Sequence, residues 1–168
     1  MARLPFWYHF PLYCINNNAV SGESFSSFHD RYSNPQGSNA IFCIGVNDFL
    51  QNQSLSEEEL MAYFSSNYDL ILANARRDYY FSCFIGIMPY TKDFELDNEL
   101  IKTSIIREIN MMLVSKCAID SKTKCIDIYD YLCNEEGYLK PEYSADGLHL
   151  NNTGNEILSN AIKNVFSE

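Results

Sequence analysis

Four short stretches of the chain have the continuous apolar pattern of a strand in a sheet that is covered on both faces. Each stretch runs into a glycine, a proline or a group of polar residues, where a strand gives way to a loop. We predict strands over residues 12–15, 41–44, 81–88 and 125–129.

Apolar residues between these stretches recur at the spacing of a helix. Two Ser/Thr-x-x-Glu segments and one aspartate predict where three of the helices begin. Helices are predicted from near Ser21 to Tyr32, from Ser56 and Glu59 towards residue 75, after Asp97, and from Thr153 and Glu156 to the end of the chain. Strands that alternate with helices predict an α/β three-layer sandwich with a mainly parallel sheet.

The stretch IFCIGVNDFL places Gly45, Asn47 and Asp48 directly after the second predicted strand. Ligands bind at the carboxyl ends of strands in open α/β sheets. A glycine there lets the backbone turn sharply, and an asparagine amide can donate to a developing oxyanion without first needing a proton. The same residues are also ordinary turn chemistry, so this stretch alone does not decide between a site and a turn.

A second polar stretch, ADGLHLNNTG, places Asp146 and His149 three residues apart before the last predicted helix. A carboxylate that orients an imidazole is the base half of a nucleophilic triad. The structural alternative is that Asp146 bonds loop amides and His149 rests on the surface.

A third stretch, NAVSGES, contains Gly22 and lies upstream of the other two. Taken in order, the three stretches resemble conserved blocks of the SGNH, or GDSL-type, hydrolase family, whose sheet is doubly wound and flavodoxin-like. The resemblance implies that His149 transfers the proton and Asp146 orients its ring. It also implies that the Gly22 N–H and the Asn47 amide bind the oxyanion, with Gly45 and Asp48 shaping the loop that aims Asn47.

The Gly-Asp-Ser block that supplies the family's nucleophile has no match, because the first 17 residues contain no serine. Ser21 and Ser24 lie in the block that supplies an oxyanion donor, so attack by either would need a rearranged site. We therefore expect an N-terminally shortened carboxylic ester hydrolase for an acyl or O-acetyl ester, with a serine acyl-enzyme mechanism and its nucleophile segment absent. The alternative is an inactive sugar- or acyl-binding module.

The absent block also removes the family's first strand, which lies inside the sheet. Its loss would leave unpaired N–H and C=O groups at a buried position. The N-terminal residues could replace it, the neighbouring strands could close up, or another chain could fill the gap. We expect a tendency to self-associate through the incomplete sheet.

Length and charge narrow the choice of partners. The 168 residues fit a single SGNH-hydrolase-like domain over residues 1–168. The formal net charge of -10 disfavours nucleic acid and membrane surfaces and leaves a small ester or an acetylated carbohydrate as the expected substrate. The proposed chemistry needs no cofactor, and no metal-ligand cluster is visible.

The six cysteines contain no C-x-x-C pair, and we expect free thiols, with Cys43 and Cys83 acting as small core residues. No signal peptide is recognised, which predicts a cytoplasmic protein. A secreted or periplasmic location would follow if the natural N-terminus lies upstream.

Overall fold

Three parallel strands form the described sheet, in the order β1 (Asn39–Cys43), β2 (Phe81–Ile85) and β3 (Thr123–Ile126). The structure is a computed structural model and describes residues 16–32, 38–98 and 103–167. Phe42 lies opposite Phe84, and Phe84 lies opposite Cys125. The predicted α/β fold with a parallel sheet is confirmed, and the strand predicted over residues 12–15 lies outside the described residues.

Helices connect the strands and cover both faces of the sheet. They are α1 (Phe25–Arg31), α2 (Val46–Gln51), α3 (Glu57–Asp78), α4 (Lys92–Asp97), α5 (Thr103–Cys117), α6 (Tyr129–Leu132) and α7 (Asn152–Ser167), with a 3₁₀ turn at Pro141–Tyr143. None of the helices in the described part of the chain has the length and apolar run that crossing a bilayer requires.

The three layers follow from the alternation of side chains along the strands. On one face, Phe42 and Phe84 stack with ring centroids 4.8 Å apart. Thr123 shares that face, and Arg76 of α3 donates to its hydroxyl at 3.5 Å. On the opposite face, Phe81 meets Phe166 of α7 at 5.4 Å. The sheet therefore lies between two layers of helices, with α3 and α5 on one face and α7 on the other.

Strand ends differ from the prediction at two places that matter for the site. Asn47 and Asp48 do not lie in an open loop, because the chain turns at Gly45 directly into the short helix α2. The last strand ends at Ile126, and Tyr129 begins α6. Apolar residues at these ends pack against the core whether the backbone is extended or helical, so the apolar pattern overestimates strand length.

The helix caps are partly as predicted. Ser56 and Glu59 form the predicted capping box of α3. Asp97 does not cap α5, since it is the last residue of α4. The Glu95 carboxylate instead accepts from the Thr103 N–H at 2.8 Å. A cap from eight residues upstream cannot be read from a local motif.

The last helix also begins one residue before the predicted capping box. Asn151 caps it, because its side-chain oxygen accepts from the Gly154 N–H at 3.1 Å, and the box predicted for Thr153 and Glu156 is wrong. Asparagine is as good a cap as serine or threonine, and it stands two residues before the threonine that the motif selects.

The five cysteines in the described part of the chain are free thiols. Cys83 is buried as predicted. Cys43 ends β1, which is one of the two outer strands of the described sheet.

Candidate active site

Asp146 and His149 form a hydrogen-bonded pair on the loop that precedes α7. The His149 Nδ1 lies 3.0 Å from Asp146 Oδ2 and 3.2 Å from Oδ1. The same carboxylate accepts from the His149 backbone N–H at 2.8 Å and from the Leu148 N–H at 3.2 Å. The carboxylate is therefore fixed by backbone bonds while it faces the imidazole, which is how an orienting carboxylate selects one ring tautomer.

This pair lies at the protein surface. The His149 side chain is 62% exposed and that of Asp146 is 42% exposed. The His149 Nε2 has no hydrogen-bond partner among the residues that the structure describes, so it is open to an incoming group. An exposed ion pair holds its own geometry only weakly, so the loop itself must keep the two side chains together.

The loop is docked on the segment that follows β2. The Thr91 N–H donates to the Gly147 carbonyl at 2.8 Å, and Gly147 has a φ of +90°. A Cβ at position 147 would lie 2.8 Å from the Cβ of Phe94. Glycine is therefore required both for the left-handed backbone and for the close approach to α4.

Asn110 on α5 holds the start of that segment in place. Its buried side-chain oxygen accepts from the Ile87 N–H at 2.7 Å, and its amide donates to the Ile87 carbonyl at 2.8 Å. A Cβ at Gly86 would lie 2.6 Å from the Asn110 side chain. The bonds fix the direction in which the chain leaves β2, and thereby fix the position of Thr91.

Gly22 lies in an exposed turn between residue 20 and α1, with a φ of +75°. A Cβ built on it meets nothing within 4 Å, so there is open space beside it. Its backbone N–H has no hydrogen-bond partner among the described residues. Such an N–H can donate to an oxygen of a bound ligand.

Asn47 lies against this turn. Its side-chain Nδ2 donates to the Glu23 carbonyl at 3.0 Å, so Asn47 is bonded to the residue next to Gly22. The second N–H of the same amide has no partner within the described part of the chain. The structure thus brings Gly22 and Asn47 together, and each keeps one donor that is not used by the fold.

Asp48 fixes the start of α1 from the interior. Its carboxylate is 1% exposed and accepts from the Phe25 N–H at 3.0 and 3.1 Å and from the Tyr63 hydroxyl at 2.7 Å. Burial raises the pKa of the Asp48 carboxyl, and the bonds from Tyr63 and Phe25 oppose that shift. Asp48 therefore ties the Gly22 turn to the helix that carries Asn47.

Gly45 allows the turn that places these residues. Its φ is +117°, and a Cβ there would lie 3.1 Å from both the Phe64 ring and the Tyr68 hydroxyl. Only glycine fits the backbone and the space together.

Buried aromatic rings connect the two halves of the site. Phe49 of α2 lies 6.5 Å from Tyr90, which lies 5.8 Å from Phe94, and Phe94 packs beside Gly147. Both halves also follow the carboxyl ends of parallel strands, β1 for Asn47 and β2 for the segment that docks the Asp146–His149 loop. The halves therefore belong to one end of the sheet.

Neither serine of the Gly22 stretch is bonded to the imidazole. The Ser24 hydroxyl caps α1 by accepting from the Ser27 N–H at 3.4 Å, and Ser21 is exposed in the turn. In residues 16–32, 38–98 and 103–167, no serine hydroxyl is hydrogen bonded to the His149 ring. Within the same residues, no three His, Cys, Asp or Glu side chains converge as a metal site would require.

Local sequence patterns did not identify Tyr63, Asn110 or Ser144 as residues that support the site. Tyr63 and Asn110 lie on helices that are distant in sequence from the groups they bond, so only the three-dimensional structure pairs them. Ser144 supports the site because its hydroxyl accepts from the Gly147 N–H at 2.7 Å. Here a local signal does exist, since a serine two residues before an aspartate commonly bonds loop amides.

Residues 2–157 match the sequence profile of the GDSL-like Lipase/Acylhydrolase family. The chain belongs to this family. At the level of the family, the activity is that of an ester hydrolase, and the family's substrates are small-molecule esters. A search of curated proteins found no significant match.

Several solved structures share the fold. A Streptococcus pneumoniae protein with a provisional assignment as a platelet activating factor is 21% identical, with a TM-score of 0.76, over 95% of this chain and 76% of its own. A GDSL-like lipase from Bacteroides thetaiotaomicron is 19% identical, with a TM-score of 0.67, over 88% and 72%. The C-terminal domain of the Drosophila Oskar protein is 19% identical, with a TM-score of 0.67, over 89% and 72%. These similarities establish the fold.

Proposed function

We propose that this protein hydrolyses small acyl or O-acetyl esters, with His149 as the general base and general acid and Asp146 as the residue that orients it. The observation that carries the proposal is the hydrogen-bonded Asp146–His149 pair in a chain that belongs to an ester-hydrolase family. A protein that only binds its ligand has no need of an oriented base.

The imidazole is arranged for proton transfer. With Nδ1–H donating to Asp146, the lone pair of Nε2 is free to accept a proton from a nucleophile and later to return it to the leaving alcohol. Asp146 also stabilises the imidazolium that forms between these steps.

Two donors that have no partner in the described part of the chain support oxyanion binding at the other half of the site. The Gly22 N–H and the free N–H of the Asn47 amide lie on segments that are bonded to each other through Glu23. In the tetrahedral intermediate, both would donate to the oxygen that becomes negative. Losing one such donor typically costs about 100- to 1,000-fold in kcat.

The reaction follows the serine acyl-enzyme route that the family resemblance implies. His149 removes the proton of a serine hydroxyl, the oxygen forms a bond to the ester carbonyl carbon, and the alcohol leaves with the proton. Water then repeats the sequence and releases the acid. Because the first 17 residues contain no serine, the nucleophile of this proposal is a serine outside a Gly-Asp-Ser block.

Initial rates with p-nitrophenyl acetate, butyrate and octanoate test the proposal. His149→Ala and Asp146→Asn should each lose at least about 100-fold in kcat/KM, the lower end of the contribution of general acid–base catalysis. His29→Ala is the matched control, because it removes an imidazole from α1 rather than from the Asp146 loop. Turnover that is equal in the wild type, His149→Ala and His29→Ala would contradict the proposal.

The alternative is a binding module that uses the same end of the sheet to hold a sugar or an acyl group. It is favoured by one observation, namely that no serine in the described residues is bonded to the imidazole. A module of this kind would bind short-chain acids or acetylated sugars and show no turnover above that of His149→Ala.

A further inference from the structure

The loop that carries Asp146 and His149 has a hydroxyl group at its centre. Ser144 Oγ accepts from the Gly147 N–H at 2.7 Å and from the Asp146 N–H at 3.3 Å. The same hydroxyl lies 3.2 Å from the His149 carbonyl, to which it donates. One side chain therefore bonds the backbone of both members of the pair.

We infer that Ser144 is the positioning residue of this pair, so that its hydroxyl sets the distance between the Asp146 carboxylate and the His149 ring. The inference rests on the proposed function and names a residue that supports it without contacting substrate.

The exposure of the pair makes such a residue necessary. Because the two side chains are 42% and 62% exposed, packing cannot hold them, and an exposed ion pair contributes little by itself. The loop closes instead through backbone bonds, with the Ala145 N–H donating to the His149 carbonyl at 2.8 Å. The Ser144 hydroxyl adds three hydrogen bonds within the same loop.

Ser144 is itself firmly held. Its backbone forms an antiparallel bridge with Leu150, and its carbonyl accepts from Asn151 Nδ2 at 3.1 Å. Asn151 in turn caps α7 through Gly154. The hydroxyl is thus fixed relative to α7. Because it bonds the backbone of Asp146 and of His149, it also fixes these two residues relative to α7.

Carbethoxylation by diethyl pyrocarbonate measures the state of the imidazole without any ester turnover. The reagent acylates an unprotonated ring nitrogen, so the rate at His149 reports whether Nε2 is made more nucleophilic by the carboxylate on Nδ1. Peptide mass spectrometry follows His149, and N-acetylhistidine added to the same reaction is the internal reference, because the Nε2 of His29 is buried. Asp146→Asn gives the rate expected when the carboxylate is lost.

Ser144→Ala should slow His149 modification by about 2- to 10-fold, the factor that corresponds to one net hydrogen bond, and leave the rate at the added N-acetylhistidine unchanged. Ser144→Thr keeps the hydroxyl and should restore the wild-type rate. Ser115→Ala is the matched control, because that exposed hydroxyl bonds only within α5. If Ser144→Ala does not fold, Ser144→Cys replaces it and should give a rate between those of the wild type and Asp146→Asn.

An unchanged His149 rate in a folded Ser144→Ala, or a Ser144→Thr that behaves like Ser144→Ala, would overturn the inference. The outcome is separable from that of the proposed function. If the His149 modification rate depends on Ser144 but the protein shows no ester turnover, the proposed function is refuted and the positioning role is kept. If the protein shows ester turnover but the His149 modification rate does not depend on Ser144, the positioning role is refuted and the proposed function is kept.

Discussion

Two tyrosines of α3, the half-buried Tyr63 and the buried Tyr68, give a paired test of how the Gly22 half of the site is held. Tyr63 donates to the Asp48 carboxylate at 2.7 Å, whereas the buried Tyr68 hydroxyl has no hydrogen-bond partner among the described residues. The substitutions Tyr63→Phe and Tyr68→Phe each remove one phenolic hydroxyl from α3. They should nevertheless differ in their effect on the free energy of unfolding.

The magnitude follows from what each hydroxyl contacts. Tyr63→Phe removes a bond to a buried carboxylate and should lower the free energy of unfolding by about 1.5–3 kcal/mol, the usual contribution of a hydrogen bond to a charged group. The ring contact between Tyr63 and Phe25, at 6.0 Å, is retained. Tyr68→Phe removes a hydroxyl that gains nothing in the folded state, so it should be neutral or stabilising by up to about 1 kcal/mol.

Urea unfolding at pH 7, followed by far-UV circular dichroism and extrapolated linearly, measures both changes. The reasoning fails if Tyr63→Phe changes the free energy of unfolding by less than about 0.5 kcal/mol, well below the range for a bond to a charged group. It also fails if Tyr68→Phe destabilises the protein as much as Tyr63→Phe does.

Two further predictions concern the same region. Burial raises the pKa of Asp48 in the folded state above the value of about 3.9 for an unfolded chain. At a pH between the unfolded-state pKa and the folded-state pKa, the folded state binds more protons than the unfolded state. The stability that Asp48 confers therefore falls as pH rises through this range. Urea unfolding across this range should therefore show the wild type losing stability relative to Asp48→Asn as pH increases, and the opposite slope would contradict the assignment. Gly45→Ala should destabilise by about 2–5 kcal/mol, because it combines backbone strain with overpacking against Phe64 and Tyr68. Gly22→Ala has similar strain but open space around it, so thermal unfolding should show a clearly smaller loss, and equal losses would refute the packing argument.

The local parts of the site could be predicted from sequence because their chemistry is encoded within a few residues. Asp146 and His149 are three residues apart, and the structure places them in hydrogen-bonding contact. The alternation of apolar stretches and helical spacing was enough to predict the parallel sheet.

The rest depends on contacts between residues that are distant in sequence. Asp48 was expected to shape its own loop, but it also receives the Phe25 N–H from 23 residues upstream and the Tyr63 hydroxyl from 15 residues downstream. Glu95 caps a helix for which Asp97 was the local candidate. Cys43 has the sequence context of a core residue, and the strand order places it in an outer strand of the sheet that the described residues form.

Labelling with a fluorophosphonate, followed by peptide mass spectrometry, tests the central claim most directly. The reagent phosphonylates a serine only when a base activates it, so it reports on the nucleophile, the base and the oxyanion site together. The account predicts an adduct on a single serine that is absent in His149→Ala and retained in His29→Ala. A folded protein that gives no adduct, or an adduct that His149→Ala leaves unchanged, would contradict it.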